Sequence, residues 1–513
     1  MISFIKKNLP EIILTFFVVL YSLYFSLLTI NRSEKLYSHY FDLGIMHQTV
    51  HNTYKAIQTG DLSRVLELTN PHRTEKQVKR MAIHNDMFLA LLAPFYFIHD
   101  GPETLLIIQT ITLAIGAGFI FLLAKKILKN MKYSEWIAVV LSISYLLYPP
   151  LEKANKFDFH AVTLASTLLL AMFYYWQEKK YKVSLVYLIL SILTKEQVGM
   201  TTAFFGGYVL FEEYKHNSIR IPKRFSLKKS THTVTTELEK NVNTRFAATC
   251  IAISLIWVFV SMAFIIPMSR GGEHFASKYY NHIKERPYRV FTYPLKQSTV
   301  TYVTKLIGPV GFLPVLSPVQ FLITIPELGV NLLSNNPNMR DTYFHYDSVL
   351  TPFVYISSLY GILFVYEFIK KRKKSLSTKA LSIGIMVYIL AFAILYSYLD
   401  SPLPYAKEAD IYPWNPPQPK YYEVIAWKKI LDDDQIKVSA SGTLAPHFTS
   451  RQYFYDFSWK YRFADYVVID TYEVGNGFLK EQSKPAYKQL QNDRNYIRIY
   501  EENGIAVYRK IVL

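Results

Sequence analysis

The chain has 513 residues, 51% of them hydrophobic and 16% aromatic, and carries a formal net charge of +18. Its one cysteine, Cys250, lies in an apolar run, which excludes a disulfide framework and a thiolate metal site. A charge of +18 would suit nucleic acid in a soluble chain, but most Lys and Arg clusters here directly flank apolar runs. That pattern orients helices in a bilayer, so a membrane lipid environment and no nucleic-acid partner are expected.

Apolar runs recur through the first 400 residues and predict a mainly α, polytopic transmembrane helix bundle of about ten or eleven spans. The clear spans cover residues 11–30, 103–124, 246–268, 350–369 and 380–399. Shorter candidates cover 135–148, 160–176, 183–194 and 198–211. The first run is long enough to stay as a span, so no cleavable signal peptide is expected. Basic clusters at 6–7, 125–132, 179–182, 215–245 and 370–374 all fall on one side if that side is the cytoplasm. The predicted topology in the cell membrane therefore has a cytoplasmic N-terminus, a long first external loop (31–85), a basic cytoplasmic loop (212–245) and an extracytoplasmic tail. Residues 85–98 are too short to cross and read as a juxtamembrane or re-entrant helix. Residues 304–333 are broken by Gly308-Pro309, Pro314, Pro318 and Pro326, and read as a hairpin that walls a cavity.

After the bundle (1–400) comes a Pro-rich linker (401–420) and a small soluble domain (421–513). Helical patterns at 421–431 and 484–493, strands at 436–440 and 464–470, and a hairpin at 496–511 turning on Glu502-Asn503-Gly504 predict an α/β layer domain.

The polar residues that stand out gather on one predicted face. They are Asp42, His84 with Asp86, Asp158 and His160, Lys195 and Glu196, Glu327, and the stretch that holds Arg340, His345 and Tyr346. Each also has a structural reading, as a helix cap, a polar loop, a neutralised pair or an interfacial anchor. Convergence of acids, bases and cations from five loops above a broken hairpin makes a functional site the working hypothesis. No P-loop, dinucleotide fingerprint, His-Glu-x-x-His or Gly-x-Ser-x-Gly motif is present, which argues against a nucleotide-driven pump or an intramembrane protease.

The ordered runs Phe41-Asp42-Leu43-Gly44-Ile45, His84, Phe157-Asp158-Phe159-His160, Lys195-Glu196, Pro326-Glu327-Leu328, Leu332-Leu333-Ser334-Asn335-Asn336-Pro337 and His345-Tyr346 span nearly the whole chain. They resemble a family of predicted membrane proteins catalogued as domain of unknown function 2079. That family in turn resembles the GT-C glycosyltransferases, which implies transfer of a sugar from a polyprenyl-phosphate donor to an extracytoplasmic glycan, lipid or protein acceptor. The paired acid that many such enzymes carry in the first loop is absent, since Leu43 follows Asp42. Such a reaction needs a base for the acceptor hydroxyl and fixed cations for the leaving phosphate. Asp42 is the candidate base, and Asp158 a second catalytic acid that positions the acceptor or a divalent metal such as Mg or Mn. Lys195 and Arg340 would bind the phosphate, His84, His160, His345 and Tyr346 would complete the substrate pocket, and Glu196 would partner Lys195. A transporter or flippase of a lipid-linked substrate is the alternative, although the internal repeat it would need is absent. A non-enzymatic surface or assembly protein is a third reading.

Overall fold

The computed structural model describes residues 8–71, 75–215, 242–373, 375–477 and 479–511. Most of the predicted basic loop, residues 216–241, lies outside the described residues.

Among those residues, five helices are long and apolar enough to cross a membrane: α1 (Leu9–Glu34), α3 (Pro102–Ile127), α9 (Val242–Arg270), α12 (Thr351–Arg372) and α13 (Thr378–Asp400). A sixth crossing forms if α4 (Ser134–Leu146) and α5 (Pro149–Phe157), bent by 41° at their junction, act as one. The bend follows from Pro149 and Pro150, which open a new helix because neither has an amide to extend the old one. Helices α1 and α3 likewise start on prolines, with Glu11 and Glu103 in their first turns. Three shorter helices, α6 (Ala165–Gln177), α7 (Tyr181–Ile192) and α8 (Val198–Lys215), pack among the long ones. The thirteen residues of α6 reach about 20 Å, short of a bilayer core. Buried protein contacts therefore surround it, and Phe173 and Leu169 are fully enclosed.

The stretch predicted as a broken hairpin consists of α10 (Gln297–Ile307), short turns from Gly308 to Thr324, and α11 (Ile325–Leu333). It lies close against α12, where Gly361 permits the approach. A Cβ at Gly361 would sit 2.3 Å from the Leu313 carbonyl oxygen. Met87–Phe97 is a single 3-10 helix of eleven residues, too short to cross.

The C-terminal residues form a five-stranded sheet in the order β4-β3-β5-β7-β6. Its strands are β3 (Val438–Ala440), β4 (Phe454–Asp456), β5 (Tyr466–Asp470), β6 (Tyr496–Glu502) and β7 (Ile505–Lys510), while β1 (Glu67–Thr69) and β2 (Gln77–Lys79) form a separate antiparallel pair in the first loop. The pairs β3–β4 and β3–β5 are parallel, and the hairpin β6–β7 adds antiparallel to β5. Its turn falls at Asn503 and Gly504, both with positive φ. Helices α14 (Pro419–Ile430) and α15 (Lys480–Gln491) flank it.

This sheet does not hang free of the bundle. One apolar cluster joins Leu36, Tyr40, Ile45, Leu68 and Ile83 of the first loop to Val438, Phe448, Phe454, Val468 and Val507 of the tail. Polar contacts reinforce it. On helix α2 (Ile45–Thr59), His47 Nε2 lies 2.8 Å from Ser450 Oγ. Arg64 donates to both carboxylate oxygens of Asp434, at 2.7 and 2.8 Å.

His51, also on α2, is buried between two carboxylates. Its Nδ1 is 2.9 Å from Asp100 and its Nε2 3.0 Å from Asp434. Both partners are acceptors, so the ring satisfies both only as imidazolium. Burial alone would lower its pKa, but the two carboxylates outweigh burial and raise it. Burial also works against the Asp434 carboxylate, yet His51 and Arg64 hold it well below the usual range. The His51 contribution is complete below its unfolded value of about 6.5 and fades as pH rises through the elevated folded value. The Asp434 contribution is complete above about 3.9 and is lost only in acid. The wild-type melting temperature should therefore fall more than that of His51→Gln between about pH 6 and pH 9. Parallel profiles for the two proteins would remove His51 from this role.

Candidate functional site

A cavity of about 340 Å³ opens where the loops at one end of the bundle meet. Its wall includes Asp42, His84, His160, Lys195, His345 and Tyr346, so six of the nine residues given a site role from the sequence come together, with Asp86 beside them.

Asp42 projects from a five-residue π-helix, Tyr40–Gly44, that directly precedes α2. Single π turns inside helices commonly mark functional positions. Asp42 Oδ1 lies 3.2 Å from His160 Nε2. The imidazole of His160 stacks on that of His345 with ring centroids 3.7 Å apart. Residues 158–160 are held in place by Gln109 of α3. Its Oε1 accepts from the His160 amide at 3.0 Å, and its Nε2 donates to the Asp158 carbonyl at 3.2 Å.

Opposite elements carry the cationic side. Lys195 lies in the turn between α7 and α8 and is only 8% exposed. Among the described residues its ammonium makes no hydrogen bond or ion pair, and its nearest aromatic contact is the Tyr346 ring, 5.8 Å away. Its charge is felt by the Glu196 and Glu327 carboxyls, but with no direct partner the ammonium can meet an anion that enters the cavity.

The neighbouring Glu196 is fully engaged. Its Oε1 lies 2.8 Å from His84 Nδ1, and its Oε2 accepts from the Asn85 amide at 2.9 Å. Burial would raise the Glu196 carboxyl, but the imidazoles and Lys195 hold it well below the usual range. Burial pushes the His84 imidazole down to about 3, leaving it neutral. An ionised Glu196 only accepts, so the His84 proton resides on Nδ1, and Nε2 offers a lone pair.

Asp158, Arg340 and Glu196 do not line the cavity. Both carboxylate oxygens of Asp158 are committed, one to Arg32 at 2.7 Å and the other to the His39 amide at 3.3 Å. Arg32 is at the end of α1 and is itself buried. Removing one partner of such a pair leaves a buried charge, at a cost of roughly 3–5 kcal/mol. Asp158→Ala should accordingly lower the melting temperature and the yield of folded protein, and a variant with wild-type stability would contradict this. Arg340 donates to the carbonyls of Leu332 and Ser334 at 3.2 and 2.7 Å, closing the C-terminal end of α11, and stacks over Tyr293.

The fourth wall was not legible in the sequence. Residues His274, Phe275, Lys278, Tyr279 and Tyr280 follow α9 and face the cavity. The Gly271-Gly272 break after α9 was the available signal. Arg80 also reaches the wall, but Asp86 neutralises it in a bidentate pair, with contacts of 2.7 to 3.0 Å.

Three ligand atoms, on His84, Glu196 and His274, lie within 4.8 Å of one another and are the one metal candidate among the described residues. Two imidazoles and one carboxylate suit Zn²⁺ better than Mg²⁺ or Mn²⁺. The proton positions do not fit. His274 Nδ1 accepts from the Ala276 amide at 3.0 Å, which puts the ring proton on Nε2, the atom that would have to bind the metal. Asp158 is equally committed elsewhere, so Asp42 and Asp158 form no metal pair.

The family of predicted membrane proteins designated DUF2079 matches the chain over residues 32–507. No curated protein matches it. Among solved structures, ArnT from Cupriavidus metallidurans bound to undecaprenyl phosphate aligns over 97% of this chain and 98% of its own. The TM-score is 0.50 at 9% identity. The same protein in its apo state aligns over 97% of both chains, with a TM-score of 0.47 at 10% identity. At such identity the likeness is one of fold, and the fold is that of the GT-C glycosyltransferases. Placed on that fold, and matched along nearly its whole length, the chain belongs to the DUF2079 family of predicted membrane proteins.

Proposed function

We propose that the protein is a membrane glycosyltransferase that moves a sugar from a polyprenyl-phosphate donor to an acceptor on the extracytoplasmic side. The observation that carries this reading is the pairing, in one cavity, of an unpartnered buried cation, Lys195, with a cavity-facing carboxylate, Asp42. Lys195 meets the lipid phosphate and stabilises the charge that grows on it as the bond to the anomeric carbon breaks. Asp42 accepts the proton of the incoming hydroxyl as the new bond forms. One further nitrogen on the wall, His345 Nδ1, has no hydrogen-bond partner among the described residues, whereas His274 Nε2 faces the Glu196 carboxylate at 3.2 Å. A sugar phosphate supplies the oxygen that His345 lacks, and Phe41, Phe275 and Tyr346 offer ring faces to the sugar. The ArnT structure that shares the fold was solved with undecaprenyl phosphate, which supports the donor class. The likeness adds nothing on the acceptor.

Binding of the carrier tests this reading directly. Purified protein in lipid should be thermally stabilised by a polyprenyl phosphate and not by the corresponding polyprenol, because a ligand that binds only the folded state raises its melting temperature. Equal responses to the two would contradict a phosphate site.

A further inference from the structure

Asp42 does not sit on a freestanding loop. Its π-helix leans on the C-terminal sheet domain at two points. The Tyr40 amide donates to the Gly442 carbonyl at 3.0 Å, and the fully buried Tyr40 ring packs against Phe454, centroid to centroid at 5.0 Å. Gly442 leaves no slack. A Cβ there would lie 2.1 Å from Nε2 of His39, the residue that caps the Asp42 turn by accepting the Phe41 amide through Nδ1. On the far side of the turn, a Cβ at Gly44 would stand 3.7 Å from the Pro446 amide nitrogen. The tail thus holds the turn at Tyr40, before Asp42, and closes on it again at Gly44, after Asp42. A π turn is a rare, less favourable backbone form that persists where its surroundings impose it.

We propose that the C-terminal domain is a positioning unit for Asp42, which sets the direction of its carboxylate through Gly442 and Tyr40. The functional consequence rests on the transferase reading, but the positioning itself does not. Lys195 is carried by the turn between α7 and α8, so the two ends of the cavity are set independently. A disturbance at Gly442 alters the base and spares the phosphate site. A misplacement of about 1 Å at a reacting group can cost roughly 100-fold in rate.

The first measurement needs no substrate. In full-length Asp42→Cys protein the only other thiol is Cys250, which is buried, so alkylation by a small maleimide reports on position 42. Adding Gly442→Ala should change that alkylation rate by roughly threefold or more, while the melting temperature stays within a few degrees. Adding His39→Ser as well should return the rate, because serine vacates the space the new methyl needs and can still cap the turn. Phe454→Leu is a milder second probe, and it should shift the rate in the same assay even if Gly442→Ala fails to fold. An unchanged rate in folded Gly442→Ala or Phe454→Leu protein would overturn the proposal, as would a change that His39→Ser does not reverse. With Asp42 present, Gly442→Ala should lower kcat and leave polyprenyl-phosphate affinity within about twofold. An altered thiol rate with normal turnover would leave the positioning standing and remove the base assignment instead.

Discussion

Asp42→Asn should lower kcat for sugar transfer by about 100-fold or more, the range expected when a general base is lost. Asparagine keeps the size of the side chain and can still meet His160, 3.2 Å away, so folding and yield should be unchanged. Donor affinity should also hold, because the phosphate end of the cavity is carried by Lys195 on another element. The informative measurement is kcat beside the equilibrium affinity for the polyprenyl phosphate. Near-normal transfer by Asp42→Asn would take Asp42 out of the role of base. His84, whose Nε2 lone pair is unclaimed, would then be the next side chain to test.

Lys195→Ala should weaken binding of the polyprenyl phosphate by about 10- to 100-fold, in line with the loss of a charge-assisted contact of roughly 1.5–3 kcal/mol. The stability of the protein itself should change little. The ammonium makes no direct hydrogen bond or ion pair, so its removal gives up only its longer-range attraction to the Glu196 and Glu327 carboxyls and in return relieves its burial. Loss of affinity without a matching loss of stability separates a ligand-binding lysine from a structural one. A fall in melting temperature with unchanged donor affinity would show that Lys195 serves the fold. Arg340→Ala provides the contrast, since its guanidinium closes the end of α11 and lies away from the cavity, so its loss should be read in stability.

The long spans could be read from the sequence because twenty or more apolar residues in a row have few other uses. All five clear spans coincide with helices that meet the length and apolarity test. The shorter candidates were harder, because helices such as α6 and α7 owe their environment to neighbours rather than to their own length. In the tail, the strand at β5 and the hairpin β6–β7 announce themselves through alternation and the Asn503-Gly504 turn. Strand β4 is three residues long and owes its existence to pairing with β3, whose partner residues lie sixteen positions earlier, a contact that no local pattern encodes. The same limit applies to the site. Asp42, His84, His160, Lys195, His345 and Tyr346 were visible as polar residues between apolar runs, and the fold brings them to one cavity. What the sequence did not reveal is pairing. Arg32 closes off Asp158 from the other end of α1, His84 takes the carboxylate of Glu196, and the wall from His274 to Tyr280 becomes part of the site through the turn at Gly271.

The fold also bears on the alternatives. A transporter or flippase would need the cavity to open alternately to both sides. The apolar cluster shared by the first loop and the tail includes Ile45 and Ile83 of the cavity wall and is braced by the Arg64–Asp434 and His51–Asp434 contacts, which favours a fixed reaction chamber. The intimate contact of the tail with the Asp42 turn likewise gives the tail a place in the chemistry rather than a separate surface role.

If this cavity transfers a sugar from a lipid phosphate, each turnover frees the lipid carrier. Purified wild-type protein in lipid is incubated with polyprenyl-phosphate sugars, and the released polyprenyl phosphate is measured beside Asp42→Asn and Lys195→Ala. Wild type should release the carrier, Asp42→Asn should not, and Lys195→Ala should recover release only at high donor concentration. Equal release by wild type and Asp42→Asn, or none from folded wild type with any of the donors, would contradict it.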